Sequence, residues 1–137
     1  MSKAVYHLND HPIPEGFQLY QDRIPVAGLF ARKAAGIAFC RGREKRLRFE
    51  PDPTNVHDQN AIKVMGSWKG WFSRKEVHLG FVPAEEAATI GKLDLAEKIQ
   101  PRLLKTYDGT DDFVEIEFQI MGPKDYAKSY KSARRSA

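Results

Sequence analysis

Three groups of residues in this chain have the types and spacing for chemistry. The first is the stretch Glu50 to Val64, EPDPTNVHDQNAIKV, which sets Asn55, His57 and Asp58 close together. An imidazole next to a carboxylate could move protons, but neighbours along a strand point to opposite faces, so His57 and Asp58 would not share a substrate. No Gly-rich phosphate loop follows them and no second carboxylate stands at metal spacing. No catalytic residue is assigned, and the chain is not expected to be an enzyme. The second group is GSWKGWFSRKEVH, where Trp68, Trp71 and Phe72 interleave with Lys69, Arg74 and Lys75. Rings with cations between them suit stacked bases and phosphates, although the same rings could fold back as a cap on the core or form a dimer contact. The third is His7 and His11, spaced as on one helical face. Pro12 and Pro14 discourage helix there and no third ligand is near, so neither a metal site nor a cofactor is expected.

These groups need elements to hold them. Pro51 and Pro53 fix their own φ and remove two backbone donors, so the chain must turn between the strand before them and the strand after. Asn55 and Asp58 can bond the backbone of that corner as Asx residues do, and Asn60, Ile62 and Val64 alternate with Ala61 and Lys63 as a half-buried strand. In the strand before the corner Leu47 and Phe49 point inward, which leaves Arg46, Arg48 and Glu50 outside on a cationic face. Upstream, Ile24 to Phe30 and Gly36 to Cys40 read as a hairpin turning at Arg32 to Ala35. Downstream, His78 to Val82 is a strand, and Pro83 followed by Glu85 and Glu86 starts a helix that buries Ala87, Ile90 and Leu93. A last pair of strands, Glu97 to Tyr107 and Phe113 to Met121, joins at an acidic turn around Asp108 and Gly109, and Pro101 marks the first of them as an edge or bulged. Val114, Ile116, Phe118 and Ile120 face in, so Phe113 is a further exposed aromatic.

The 137 residues suit one domain. Residues 1–22 read as an arm, 23–122 as the folded domain and 123–137 as a basic tail carrying Lys131, Arg134 and Arg135. The net charge of +4 is modest, but its distribution is not. Eight basic residues lie between Arg23 and Arg48 against the one acid Glu44, whereas Asp108, Asp111, Asp112, Glu115 and Glu117 cluster elsewhere. A positive face and a polyanionic partner are expected. Cys40 is the one cysteine, so there is no disulfide framework. No apolar run is long enough to cross a bilayer and no signal peptide is evident, so the location expected is cytoplasmic, or nuclear in a eukaryote.

VAGLF (Val26 to Phe30), the corner with its NAIKV strand, and LGFVPAEEA (Leu79 to Ala87) together resemble the HIRAN domain, over about Ile24 to Gly122. The resemblance implies a mainly β fold, a small six-stranded antiparallel OB-like barrel with one or two helices at one side. It also implies a grip on the 3′ end of single-stranded DNA, in a repair or replication setting, with a separate helicase or nuclease polypeptide as a partner. Asp58 would then accept a hydrogen bond from a terminal 3′ hydroxyl and repel a phosphate. The family tyrosine beside that aspartate is His57 here, and the arginine and tyrosine after the Gly-aliphatic pair are Phe30 and Ala31. The DNA-binding set expected is Asn55, His57, Asp58, Arg46, Arg48, Lys63, Trp68, Lys69, Trp71 and Phe113. Two readings stay open: turn capping for Asn55 and Asp58, and docking of a protein partner by the Trp68 to Phe72 segment.

Overall fold

The structure, a computed structural model, describes residues 4–109 and 113–137. Seven strands lie in two antiparallel sheets. The first has the order β1 (Ala4–Tyr6), β6 (Gln100–Asp108), β7 (Val114–Pro123), β2 (Phe17–Pro25); the second runs β3 (Arg43–Pro51), β4 (Ile62–Lys69), β5 (Arg74–Phe81). Three helices complete the fold: α1 (Lys33–Arg41), α2 (Ala84–Lys92) and α3 (Lys124–Ser136). The core forms where alternate residues of the two sheets meet. Ile24, Leu103, Ile116, Phe118 and Ile120 come from the first sheet, and Ile62, Val64 and Leu79 from the second. Phe49 joins them edge-on to Phe118, with ring centroids 5.8 Å apart. Truncating a ring as deeply buried as Phe118 costs about 3–5 kcal/mol.

The mainly β, antiparallel character is as expected, but the count and closure differ. There are seven strands rather than six, and no ladder closes them into a barrel among the described residues. Backbone hydrogen bonds join the two sheets just after β2. After β2, the Val26 N–H donates to the Ile116 carbonyl of β7, and Ala27 exchanges two 2.8 Å hydrogen bonds with Phe81 of β5.

The expected hairpin over Ile24 to Cys40 is replaced by the end of β2, a 3₁₀ turn at Leu29–Arg32 and helix α1. Gly28 opens that turn at φ 78°, a left-handed conformation that glycine adopts without a Cβ penalty. Lys33, Ala34, Ala35 and Ala38 are good helix formers. Burial decides the matter, because Gly36 and Phe39 are a helical three apart and both face the core, whereas a strand would pair Ile37 with Phe39. Phe39 fits against Gly66, where a Cβ would come within 2.7 Å of its ring.

From residue 4 on, the residues expected as an arm, and those expected as a tail, take part in regular structure. β1 pairs with β6, and Arg102 of β6 donates to the carbonyls of Leu8 and His11. Residues 124–136 form α3, whose Tyr130 is fully buried, stacks near Tyr20 at 5.2 Å and donates a 2.9 Å hydrogen bond to Gln21. Arg134 ties α3 to α2 through Glu86 at 2.8 Å. Pro101 is paired to Ile120 of β7 and lies beyond the reach of β1, so its missing donor faces no ladder, and a bulge follows between Leu103 and Lys105. Asp111 and Asp112 of the acidic cluster lie outside the described residues. Among the described residues no helix is long and apolar enough to cross a membrane.

Candidate nucleic-acid interface

The corner between β3 and β4 is built by its own side chains. The Asn55 Oδ1 accepts from the His57 N–H at 2.9 Å and the Asp58 N–H at 3.1 Å, while its Nδ2 donates to Asp52 at 3.1 Å. The Asp58 Oδ1 accepts from the Asn60 N–H at 2.8 Å. Backbone bonds from Asp52 to Ala61 and from Ala61 to Asp58 close the loop, so the Asx capping available to these two residues is realised. Capping occupies one oxygen of Asp58. Its Oδ2 makes no hydrogen bond among the described residues.

Opposite the corner stands the end of β5. Met65 pairs with His78 and Val64 with Gly80, so Leu79 is an extra residue in β5 and the strand bulges. The bulge turns Leu79 and Gly80 both inward and leaves Phe81 on the outer side. Gly80 is required there, since a Cβ would meet the Ala27 carbonyl oxygen at 2.2 Å. The result is a cleft of about 480 Å³ lined by Asn55, His57, Asp58, Arg32, Phe81 and the small side chains around them. The Arg32 guanidinium lies 5.5 Å from the centre of the Phe81 ring, within cation–π range. His78 packs edge-on against Phe81 at 4.9 Å and bonds the Gly80 carbonyl through Nε2 at 2.8 Å. Burial pulls the His78 pKa below its ordinary value, so the ring is neutral at neutral pH. Next to the lining residues in the chain, Phe30 and Val56 are exposed apolar side chains, at 82% and 90%.

Of the residues expected to form one surface, the structure gathers Asn55, His57 and Asp58 and distributes the others. Lys63 stands beside Phe81 in register but faces Glu50 at 3.6 Å. Arg48 makes two 2.7 Å bonds to Glu76 and one of 3.0 Å to Glu50, an arrangement that holds Glu76 below the usual carboxylate range. The outer face of β3, expected to be cationic, has part of its charge paired, because Glu76 of β5 stands against Arg48. Lys69 lies 3.4 Å from Glu44, and Arg46 sits by Lys45, His7 and His11 in a separate depression. Among the described residues no group of histidine, cysteine, aspartate or glutamate is arranged to hold a metal.

Trp68 does not belong with the exposed aromatics. It lies on β4 with the inward set, against Gly42, where a Cβ would meet its side chain at 2.3 Å. Trp71 and Phe72 occupy the β4–β5 turn, 91% and 99% exposed, with ring centroids 6.3 Å apart. Phe113 is exposed on the β6–β7 hairpin, where it meets Tyr107 edge-on at 5.7 Å, and it does not line the cleft. Reading along the chain missed Arg32 and Phe81. In the sequence Arg32 reads as a turn residue and Phe81 as a strand residue, and the signal for the latter is the glycine before it, which marks a bulge as readily as a turn.

A model of the HIRAN domain matches residues 29–111. No curated protein matches the chain. Solved structures are similar in fold. The crystal structure of the HIRAN domain of human HLTF shares 18% identity at a TM-score of 0.48, covering 88% of this chain and 92% of that one. An NMR structure of the HLTF HIRAN domain shares 16% identity at a TM-score of 0.51, with coverages of 88% and 91%. A second NMR structure, of the HLTF HIRAN domain in its DNA-bound conformation, shares 18% identity at a TM-score of 0.48, with coverages of 94% and 93%.

Proposed function

Because the chain belongs to the HIRAN domain family, we propose that it is a nucleic-acid-binding module that takes single-stranded DNA and receives its 3′-hydroxyl end in the cleft. The observation that carries this reading is the meeting of Asp58, His57 and Asn55 with Arg32 and Phe81 in one open cleft. Each supplies a different part of the recognition. Asp58 offers a carboxylate oxygen to a terminal hydroxyl and repels a phosphate in the same place. Phe81 and His57 present ring faces for the last bases, and Arg32 supplies a cation for the backbone beside them. Asn55 positions the corner through its two backbone acceptances. Phe30, which stands where the family carries arginine, is an exposed ring two residues before Arg32. A repair or replication role with a separate helicase or nuclease polypeptide follows from the family and belongs to the same proposal.

Fluorescence anisotropy with labelled oligonucleotides ending in a 3′ hydroxyl, a 3′ phosphate or a duplex tests it. The hydroxyl end should bind most tightly. Asp58→Ala should cost the hydroxyl oligonucleotide about 1.5–3 kcal/mol and leave the phosphorylated one unharmed. Equal affinity of the unmutated protein for hydroxyl and phosphate ends would refute end recognition.

A further inference from the structure

We propose that the tip of the β4–β5 hairpin is a second contact for the same DNA strand, where Trp71 and Phe72 stack on bases several nucleotides away from the end held in the cleft. The inference rests on the function proposed for the cleft. Its basis is the register of the three-stranded sheet. Phe39, Val64 and Leu79 fill the inner side of that sheet, so the residues of opposite parity form its outer side. Across the strands these outer residues stand in rows: Glu50, Lys63 and Phe81; then Arg48, Met65 and His78; then Arg46, Ser67 and Glu76; then Arg43, Lys69 and Arg74. One surface thus runs from Phe81 at the cleft to Arg74 at the foot of the tip. It carries six cations, Arg43, Arg46, Arg48, Lys63, Lys69 and Arg74, against the carboxylates Glu50 and Glu76 and that of Glu44, 3.4 Å from Lys69. Arg48 already neutralises Glu76, so the surplus charge favours a polyanion lying along the sheet.

The tip is suited to the bases of such a strand. Its turn is closed by the Gly70 N–H to the Ser73 carbonyl at 3.0 Å, and a side chain at Gly70 would strike that carbonyl at 2.6 Å. The turn therefore presents its two rings in a tight loop. The rings lie 30° from parallel and bury almost nothing against the protein, which is an uncommon state for a tryptophan and a phenylalanine side by side. Lys69, Arg74 and Lys75 flank them in the sequence, so the partner that fits has flat π faces and negative charge, as a single strand has and an apolar protein surface has not. From Phe81 back to Arg74 the strand spans roughly 23 Å at about 3.3 Å per residue. That length corresponds to about seven nucleotides at a stacked spacing of about 3.4 Å. It falls within the roughly 4 to 16 nucleotides that an OB-type fold covers.

The test uses the full chain and two 3′-hydroxyl oligothymidylates, of about 3 and about 12 nucleotides, with the Trp71→Ala/Phe72→Ala double variant. The variant should melt at the unchanged temperature, bind the short oligonucleotide as the parent does, and lose about tenfold or more on the long one. Unchanged binding of the long oligonucleotide would overturn the proposal and leave the tip to a protein partner. An equal loss on both lengths would overturn it too, since the tip would then act through the cleft. Failure of the cleft reading looks different: hydroxyl and phosphate ends would bind alike while the length-dependent loss persisted.

Discussion

At one end of the three-stranded sheet, seven hydrogen bonds among residues 52–61 hold the corner that carries Asn55, His57 and Asp58. At the other end a backbone bond closes a turn whose two aromatic side chains stand almost wholly in water. The corner and the tip differ in what a mutation there can report. The Asn55 and Asp58 side chains hold backbone and face the cleft at once, so a variant of either must be read for stability as well as for binding. Tip side chains hold nothing, so a loss of binding there reads directly as a lost contact. The difference also shows why an exposed ring and a capped carboxylate deserve different experiments even when one ligand spans both.

The strongest way to break the contrast is to attack the cleft from behind. Gly80→Ala places a methyl group against the Ala27 carbonyl oxygen, where backbone on both sides must move. The expected outcome is a destabilisation of about 3 kcal/mol, seen in urea unfolding, together with loss of 3′-hydroxyl preference as Phe81 shifts. An Asn55→Ala variant is the next largest. It removes two acceptances from backbone N–H groups, and about 1–2 kcal/mol of stability should go with them. If Asn55→Ala lost DNA affinity at full stability, the corner would be a contact rather than a scaffold.

A smaller and more diffuse effect is expected from acid. His78 near the cleft and His7, bonded to Thr106 across β1 and β6, both have pKa values lowered chiefly by burial. Their rings take up a proton more readily when unfolded, so the unfolded state binds more protons once the pH falls below about 6.5. Stability present at neutral pH should therefore be lost progressively in acid, and melting curves from pH 7.5 down to about 5 would record it. Replacing His7 and His78 by glutamine should flatten that slope. The tip has no histidine, so its contribution to binding long oligonucleotides should be insensitive over the same range.

Much of this protein was legible in its residues taken in order. Two prolines and two Asx residues dictate a corner wherever they fall, because their constraints act within a few bonds. The alternation of Ile62 and Val64, and of Ile116, Phe118 and Ile120, named the buried faces of β4 and β7, and Glu85 and Glu86 after Pro83 marked the start of α2. Local pattern could not decide the segment before Cys40, where Ile37 and Phe39 satisfy a strand and Gly36 and Phe39 a helix. The space that Gly66 leaves for the Phe39 ring selects the helix, and that space comes from a strand far along the chain. The same limit applies to the aromatic segment. Trp68 and Trp71 look alike in sequence, yet the register of β4 turns Trp68 inward against Gly42 and the turn leaves Trp71 outside. Arg32 and Phe81 are far apart in the chain and meet only because Ala27 and Phe81 exchange backbone bonds across the two sheets. Composition likewise set the charge of β3, but only the pairing of β4 with both β3 and β5 put Glu76 against Arg48. Contacts within a turn or a strand were thus determined by the sequence alone, while contacts between strands waited on the fold, since short-range preferences carry no information about which distant residue will fill a given space.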